Sequence, residues 1–299
     1  MIADIFRNLF AAISIMVMLG SCKTEVVNEQ KNNIQIELKS QLIGVTSAHN
    51  ARQLGGYPIG DKQIKNNVLL RSAKLSELTA EDSTLLCDKY KVQCIYDFRG
   101  KKESLSAPDF IPGEARYVSL ALPFAGDNSG ADVKFESEEQ MIGMLLQHAE
   151  HPSVQTMCTS MYDLIFFEES SQEVYRQFFA DLVKLNPQDG AVLWHCTQGK
   201  DRAGCASAML LSALGAERNL IMADFILSKD YYSPIVAHIK TETEAQKMVI
   251  NTLISANPDV FEATLNKVDA KYCSLRNYLT ECIGVTPEMM NILRERYLE

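Results

Sequence analysis

Between His195 and Gly204 the chain reads HCTQGKDRAG, a single short segment that holds one cysteine, three cation-capable side chains and two glycines. Ahead of it, residues 191–194 form an unbroken apolar run, the pattern of a strand buried on both faces of a mostly parallel sheet. Behind it, the spacing predicts a helix over 202–214 that Gly215 ends. A strand that delivers Cys196 and a helix that opens near Arg202 leave a tight loop of backbone N–H groups around one sulfur. Such a loop binds a dianion, and the positive end of the helix dipole favours a thiolate over a thiol. Gly199 lets the backbone approach a ligand without a Cβ in the way. Arg202 offers a planar fork for two oxygens, and Lys200 adds a second cation. Thr197, Gln198, Ala203 and Gly204 complete the expected lining, while His195 is expected to orient the loop and tune Cys196.

The chemistry suited to these types is nucleophilic displacement at phosphorus. Cys196 attacks a phosphomonoester to form a phosphocysteine, Arg202 and the amides hold the equatorial oxygens, and water then frees inorganic phosphate. The leaving oxygen needs a proton, which a nearby carboxylic acid supplies. Two candidates stand out: Asp201, inside the loop, and Asp97, at the end of a predicted neighbouring strand. Each has a structural alternative, an ion pair with Arg99 or Arg52 for Asp97 and a link to Lys200 or the loop backbone for Asp201. No cofactor is implied, and no metal, because no second Cys or His stands at ligand spacing from Cys196.

The elements that must position this loop are an α/β layer arrangement. Further strands are predicted at 68–70, 92–96 and 117–120, and helices at 138–148, 171–185 and 218–228. Thr286 and Pro287 open a last helix as N-cap and first residue. Residues 123–189 have little strand character and read as a helical insertion, either a cap over the site or a layer packed on the sheet face. At 299 residues, 46% hydrophobic and 22% charged, the chain has the composition of a globular protein. Its net charge of −9 excludes nucleic acid as the expected partner, since no basic surplus exists to displace counterions. A phosphate site must then be a local positive pocket.

The N-terminus differs in composition. Arg7, an apolar run over 9–19 and Leu19-Gly20-Ser21-Cys22 resemble a bacterial lipoprotein signal with its lipobox. That resemblance implies a signal peptide at 1–21 and a lipid on Cys22, hence an exported protein anchored to a membrane of the cell envelope. Residues 22–40, rich in Lys, Glu, Asn and Gln, read as a polar tether to a domain over 41–299. Of the eight cysteines, the six besides Cys22 and Cys196 lie in mainly apolar surroundings, and no specific bridge is expected.

The segment from His195 to Arg202 resembles the signature loop of the protein tyrosine phosphatase superfamily, and its Gly-Lys-Asp-Arg form is similar to bacterial tyrosine/serine phosphatases with lipid-phosphatase-like properties. Asn50-Ala51-Arg52-Gln53-Leu54-Gly55-Gly56-Tyr57 resembles that family's N-terminal Arg-x-Leu-Gly-Gly element. Leu70-Arg71-Ser72 with Leu75, and Tyr96-Asp97-Phe98-Arg99 followed by Glu103, match two more of its elements. The resemblance implies a cysteine-phosphatase fold, a substrate that is a phosphorylated protein, lipid or inositol phosphate, and Asp201 as the acid. Arg52 joins the expected substrate-binding residues, with buried pairing as its alternative. One departure stands out: the family usually carries a hydroxyl residue after the signature arginine, which helps the sulfur leave, and this chain has Ala203. A phospho-ligand-binding protein with decayed turnover and a sulfurtransferase are the competing readings.

Overall fold

The computed structural model describes residues 35–123 and 138–299. Seven short strands appear in chain order: β1 (Arg52–Gln53), β2 (Pro58–Ile59), β3 (Lys62–Gln63), β4 (Leu69–Ser72), β5 (Cys94–Asp97), β6 (Arg116–Ser119) and β7 (Val192–His195). β2 and β3 form a separate ribbon, and the other five make one sheet in the order β1-β4-β7-β5-β6. The ribbon is antiparallel, and within the five-stranded sheet pairing is parallel except where β1 meets β4. Strand β7 therefore lies at the centre of the sheet, as its apolar run predicts, and all four of its residues are buried.

Alternation along the strands builds two cores. Leu69, Cys94, Tyr96, Val192 and Trp194 face a large helical layer, whereas Leu70, Ile95 and Leu193 face a thinner one with Ile43, Leu75 and Leu86. Each fully buried apolar side chain of this kind contributes roughly 1.5–3 kcal/mol of transfer free energy.

The helices, again in chain order, are α1 (Leu38–Gln41), α2 (Ala80–Asp88), α3 (Lys101–Ser106), α4 (Glu138–Gln147), α5 (Pro152–Thr159), α6 (Met161–Phe167) and α7 (Glu169–Leu182). After β7 come α8 (Asp201–Leu214), α9 (Arg218–Val236), α10 (Glu244–Leu253), α11 (Pro258–Tyr272), α12 (Leu275–Tyr278), a π-helical turn (Leu279–Ile283) and α13 (Pro287–Tyr297). Gly215 ends α8 in the left-handed region at φ 101°, and the Thr286 side chain caps α13 by accepting from Met289 N. The expected end of α9 at residue 228 is exceeded by eight residues. Pro234 cannot donate to the Asp230 carbonyl, but the Ser233 hydroxyl does so at 2.9 Å, and the helix carries on.

Within the expected 123–189 insertion, residues 138–189 divide between two environments, and 124–137 lie outside the described part. Helices α6 and α7 pack Tyr162, Phe166, Tyr175 and Phe178 into the main core over the sheet. Leu145 and Ala149, at and just after the end of α4, with Val154, Met157 and Cys158 of α5, form a small separate core with Val249 of α10. Among the described residues no helix is long and apolar enough to cross a membrane. Cys22 and residues 1–34 lie outside the described part. Among the described cysteines, Cys87, Cys94, Cys158, Cys196, Cys205 and Cys282 are free.

Candidate active site

Ser72 and Asp97 pair in register with His195, so β4, β5 and β7 end level and Cys196 leaves the sheet at its carboxyl edge. That edge is where ligands bind in open α/β sheets. The Cys196 residue is only 2% exposed, at the base of a loop that closes when α8 starts at Asp201.

The carbonyls of this loop are tied off around its outside. Thr197 O accepts from Lys74 N at 3.2 Å, and Gln198 O from the Tyr232 hydroxyl at 2.7 Å. Gly199 O accepts from Asn50 Nδ2 at 3.0 Å and from Arg71 Nη2 at 2.8 Å, and the same Arg71 nitrogen reaches Lys200 O at 3.2 Å. A trans peptide sets its N–H opposite its C=O. The N–H groups of Gln198, Gly199, Lys200 and Asp201 are thereby turned to the other side, into the loop. Gly199 makes this path possible, with φ at 67° and no room for a side chain against the backbone of Ser72 and Ala73.

Arg202 is held in a two-pronged ion pair: Nη1 donates to Glu103 Oε2 at 2.6 Å and Nη2 to Glu103 Oε1 at 2.7 Å. The Thr197 hydroxyl also donates to Glu103 and accepts from Arg202 Nη2 at 3.2 Å. Burial pushes the Glu103 carboxyl up, but Arg202, Thr197 and the Gly100 N–H outweigh it and hold it below the usual carboxylate range. Glu103 itself is placed by the first turn of α3, where it accepts from Gly100 N at 2.9 Å.

Lys200, expected as a second cation facing the ligand, is buried and committed elsewhere. Its Nζ donates to Asp201 Oδ2 at 2.8 Å and to Thr252 O at 3.2 Å. Asp201 Oδ1 accepts from the Tyr162 hydroxyl at 2.9 Å. Asp97 has both oxygens engaged by Arg99, with Oδ2 also accepting from the Tyr117 hydroxyl at 2.6 Å. Burial raises its carboxyl, but His195, Arg99 and Tyr117 together hold it below the usual range. His195 is fully buried, with Nε2 3.2 Å from Asp109 Oδ2, though out of hydrogen-bond alignment. Asp97, Asp109 and His195 bring ligand-type atoms within 4.8 Å of one another, but the Arg99 guanidinium bonds both carboxylates and already supplies the positive charge a metal ion would.

Arg52, expected among the substrate-binding residues, instead lies sealed beneath the loop. It donates to Asp224 Oδ1 at 3.3 Å, to Asp224 O at 3.0 Å, to Ser228 Oγ at 3.1 Å and to Asn50 Oδ1. Ala203 and Gly204 lie in the first turn of α8: the Ala203 carbonyl accepts from Trp194 Nε1 at 3.1 Å, and a Cβ on Gly204 would stand 3.1 Å from Arg71 Nη2. Both serve packing.

A model of the tyrosine phosphatase family matches residues 43–299. The chain belongs to that family. It is a phosphoric monoester hydrolase of the tyrosine phosphatase kind, and the mostly parallel central sheet flanked by helices that its sequence leads one to expect is observed. A triple specificity protein phosphatase, PtpB, of Mycobacterium tuberculosis is 29% identical over 250 residues, 76% of this chain and 89% of that protein. A candidate tyrosine-protein phosphatase of Cupriavidus necator is 24% identical over 247 residues, covering 79% and 82%. The catalytic core of the PP-IP phosphatase SIW14 from S. cerevisiae is 12% identical with a TM-score of 0.33, covering 76% of this chain and 96% of that one.

Several residues around the loop had no role assigned from sequence: Tyr162, Asp109, Asp224 and the Thr252 carbonyl. Asn50 and Glu103 stood inside recognisable motifs without a function. Their signal was only their place beside Arg52 and Arg99, because the partners they hold lie far along the chain.

Proposed function

We propose that this phosphatase hydrolyses phosphomonoesters, phosphotyrosine foremost and phosphoserine, phosphothreonine or phosphoinositides alongside, through a phosphocysteine on Cys196. The observation that carries this is the loop itself, whose carbonyls are tied outward while Glu103 and Thr197 fix the Arg202 guanidinium. In the first step the S–P bond forms as the P–O ester bond breaks, and the leaving oxygen takes a proton from Asp201. In the second, water attacks phosphorus, the S–P bond breaks, and thiolate and inorganic phosphate are released. Rapid-quench turnover followed by peptide mass spectrometry is expected to find the phosphoryl group on the Cys196 peptide. Because Ala203 lacks the hydroxyl that helps sulfur leave, that adduct accumulates as a burst, and Ala203→Thr shortens it. Linear product formation with no adduct rejects the mechanism. The breadth in the name of the mycobacterial relative supports a substrate panel of phosphopeptides against phosphoinositides.

Access favours Asp201 over Asp97 as the acid: Asp201 is 5% exposed at the loop, whereas Asp97 is fully buried. A general acid works only while protonated, so activity falls as pH rises past its titration and gives the basic limb of the pH–rate profile. Asp201→Asn is expected to remove that limb and to slow alkyl phosphates more than activated aryl phosphates. Retention of the limb in Asp201→Asn and its loss in Asp97→Asn would reverse the assignment.

The same reading includes export and lipid attachment at Cys22, supported by the lipobox-like Leu19-Gly20-Ser21-Cys22. Metabolic labelling with a palmitate analogue is expected to mark the full-length chain and to fail with Cys22→Ser; equal labelling of both defeats it.

A further inference from the structure

Behind the loop, two buried guanidiniums share one carboxylate. Arg52 Nε lies 3.3 Å from Asp224 Oδ1 and Arg71 Nη1 lies 2.6 Å from Asp224 Oδ2, and all three side chains are sealed from solvent. The other groups that hydrogen-bond to this cluster are neutral: Asn50, Ser228, Tyr57, and the carbonyls of Gly199, Lys200 and Asp224. Other cations around the loop meet a different balance. Lys200 faces Asp201, Arg202 faces Glu103, and Arg99 faces two carboxylates, Asp97 and Asp109. Positive charge is therefore in surplus on the Arg52–Arg71 side. Arg71 Nη2 carries it to the carbonyl oxygens of Gly199 and Lys200, the far ends of two peptides whose N–H groups turn into the loop.

We propose that Arg71 is the second cation of the anion cradle, a positioning residue that acts through the 199–200 and 200–201 peptides without touching substrate. The proposal rests on reading the loop as a phosphate cradle. A donor held on an amide oxygen polarises the peptide and makes its N–H a stronger donor, an effect that low local dielectric enlarges. Burial and the neighbouring Arg52 bring the Arg71 guanidinium down to about 10, so it keeps its charge at neutral pH. Asp224 fixes its direction, and Lys200 is turned to Asp201 and the Thr252 carbonyl, not to the centre of the loop.

Tungstate affinity, measured by isothermal titration on the full-length chain, tests this, with para-nitrophenyl phosphate turnover followed in parallel. Arg71→Met is expected to weaken tungstate binding by about tenfold or more, and Arg71→Lys, which keeps charge without the fork, by less than about tenfold. Asp224→Asn leaves both guanidiniums unopposed and is expected to bind tungstate at least as tightly as the wild type, whereas loss of a mere brace would weaken it. Tungstate affinity within about tenfold of wild type in Arg71→Met, a loss beyond that in Arg71→Lys, or weaker binding in Asp224→Asn overturns the proposal. The three variants test it independently, so one that does not fold leaves the others to decide. Absence of turnover in the wild-type protein would instead defeat the phosphatase reading.

Discussion

Cys196→Ser is expected to lose at least about 10⁴-fold in kcat on para-nitrophenyl phosphate while still binding tungstate. The cradle is made of backbone N–H groups and Arg202, none of which depends on the sulfur, so an anion still finds its donors. What disappears is the nucleophile. A serine hydroxyl stays protonated at neutral pH, and among the described residues no histidine stands ready to activate it: His195 is buried against Asp97 and Asp109. The folded structure changes little, since oxygen replaces sulfur at a site with little solvent access. Residual activity above about one per cent of wild type would mean that another group attacks phosphorus, and the mechanism would have to be abandoned.

Gly199→Ala is the second large effect expected, and it works through the backbone alone. The new Cβ would stand 2.4 Å from the Ser72 carbonyl carbon and oxygen and 2.6 Å from Ala73 N, contacts that cannot persist. None of these atoms is a flexible side-chain end. The left-handed backbone at φ 67° adds roughly 1–2 kcal/mol for any residue with a Cβ. The loop must therefore move away from β4, and the hydrogen bonds from Arg71 and Asn50 to the Gly199 carbonyl are lost with it. Misplacing the amides by about 1 Å is expected to cost on the order of 10²-fold in kcat/KM. Stability falls less, because the cores on either side of the sheet are untouched. Steady-state kinetics beside a thermal melt check this, and a variant with wild-type kcat/KM would show that the loop tolerates another path.

The geometry also explains how a chain with a net charge of −9 can hold the proposed phosphate site. Its cations near the loop are almost all matched by carboxylates, so attraction for a dianion comes mainly from oriented amides and the start of α8. Bulk charge says little about such a site, because it acts over a few ångströms in a place with little water.

What the amino-acid sequence determined by itself was local. Cys196 to Arg202 are consecutive, so strand, loop and helix N-terminus are written in one stretch, and the proposed nucleophile is legible without knowing any other contact. The buried strand β7 shows as an apolar run, and Thr286-Pro287 marks the start of α13, because capping is satisfied within one turn. Strands of two residues, β1 to β3, are too short to show a period and were not legible. Tertiary structure alone decided which charge meets which. Glu103 lies 99 residues from Arg202, and Asp224 lies 153 from Arg71. Ion pairing depends on distance in space, and the same side chains at the same sequence positions would be equally compatible with Lys200 facing the ligand. The fold turns Lys200 to Asp201 and Thr252, buries Arg52 on Asp224, and leaves Arg71 against the back of the loop.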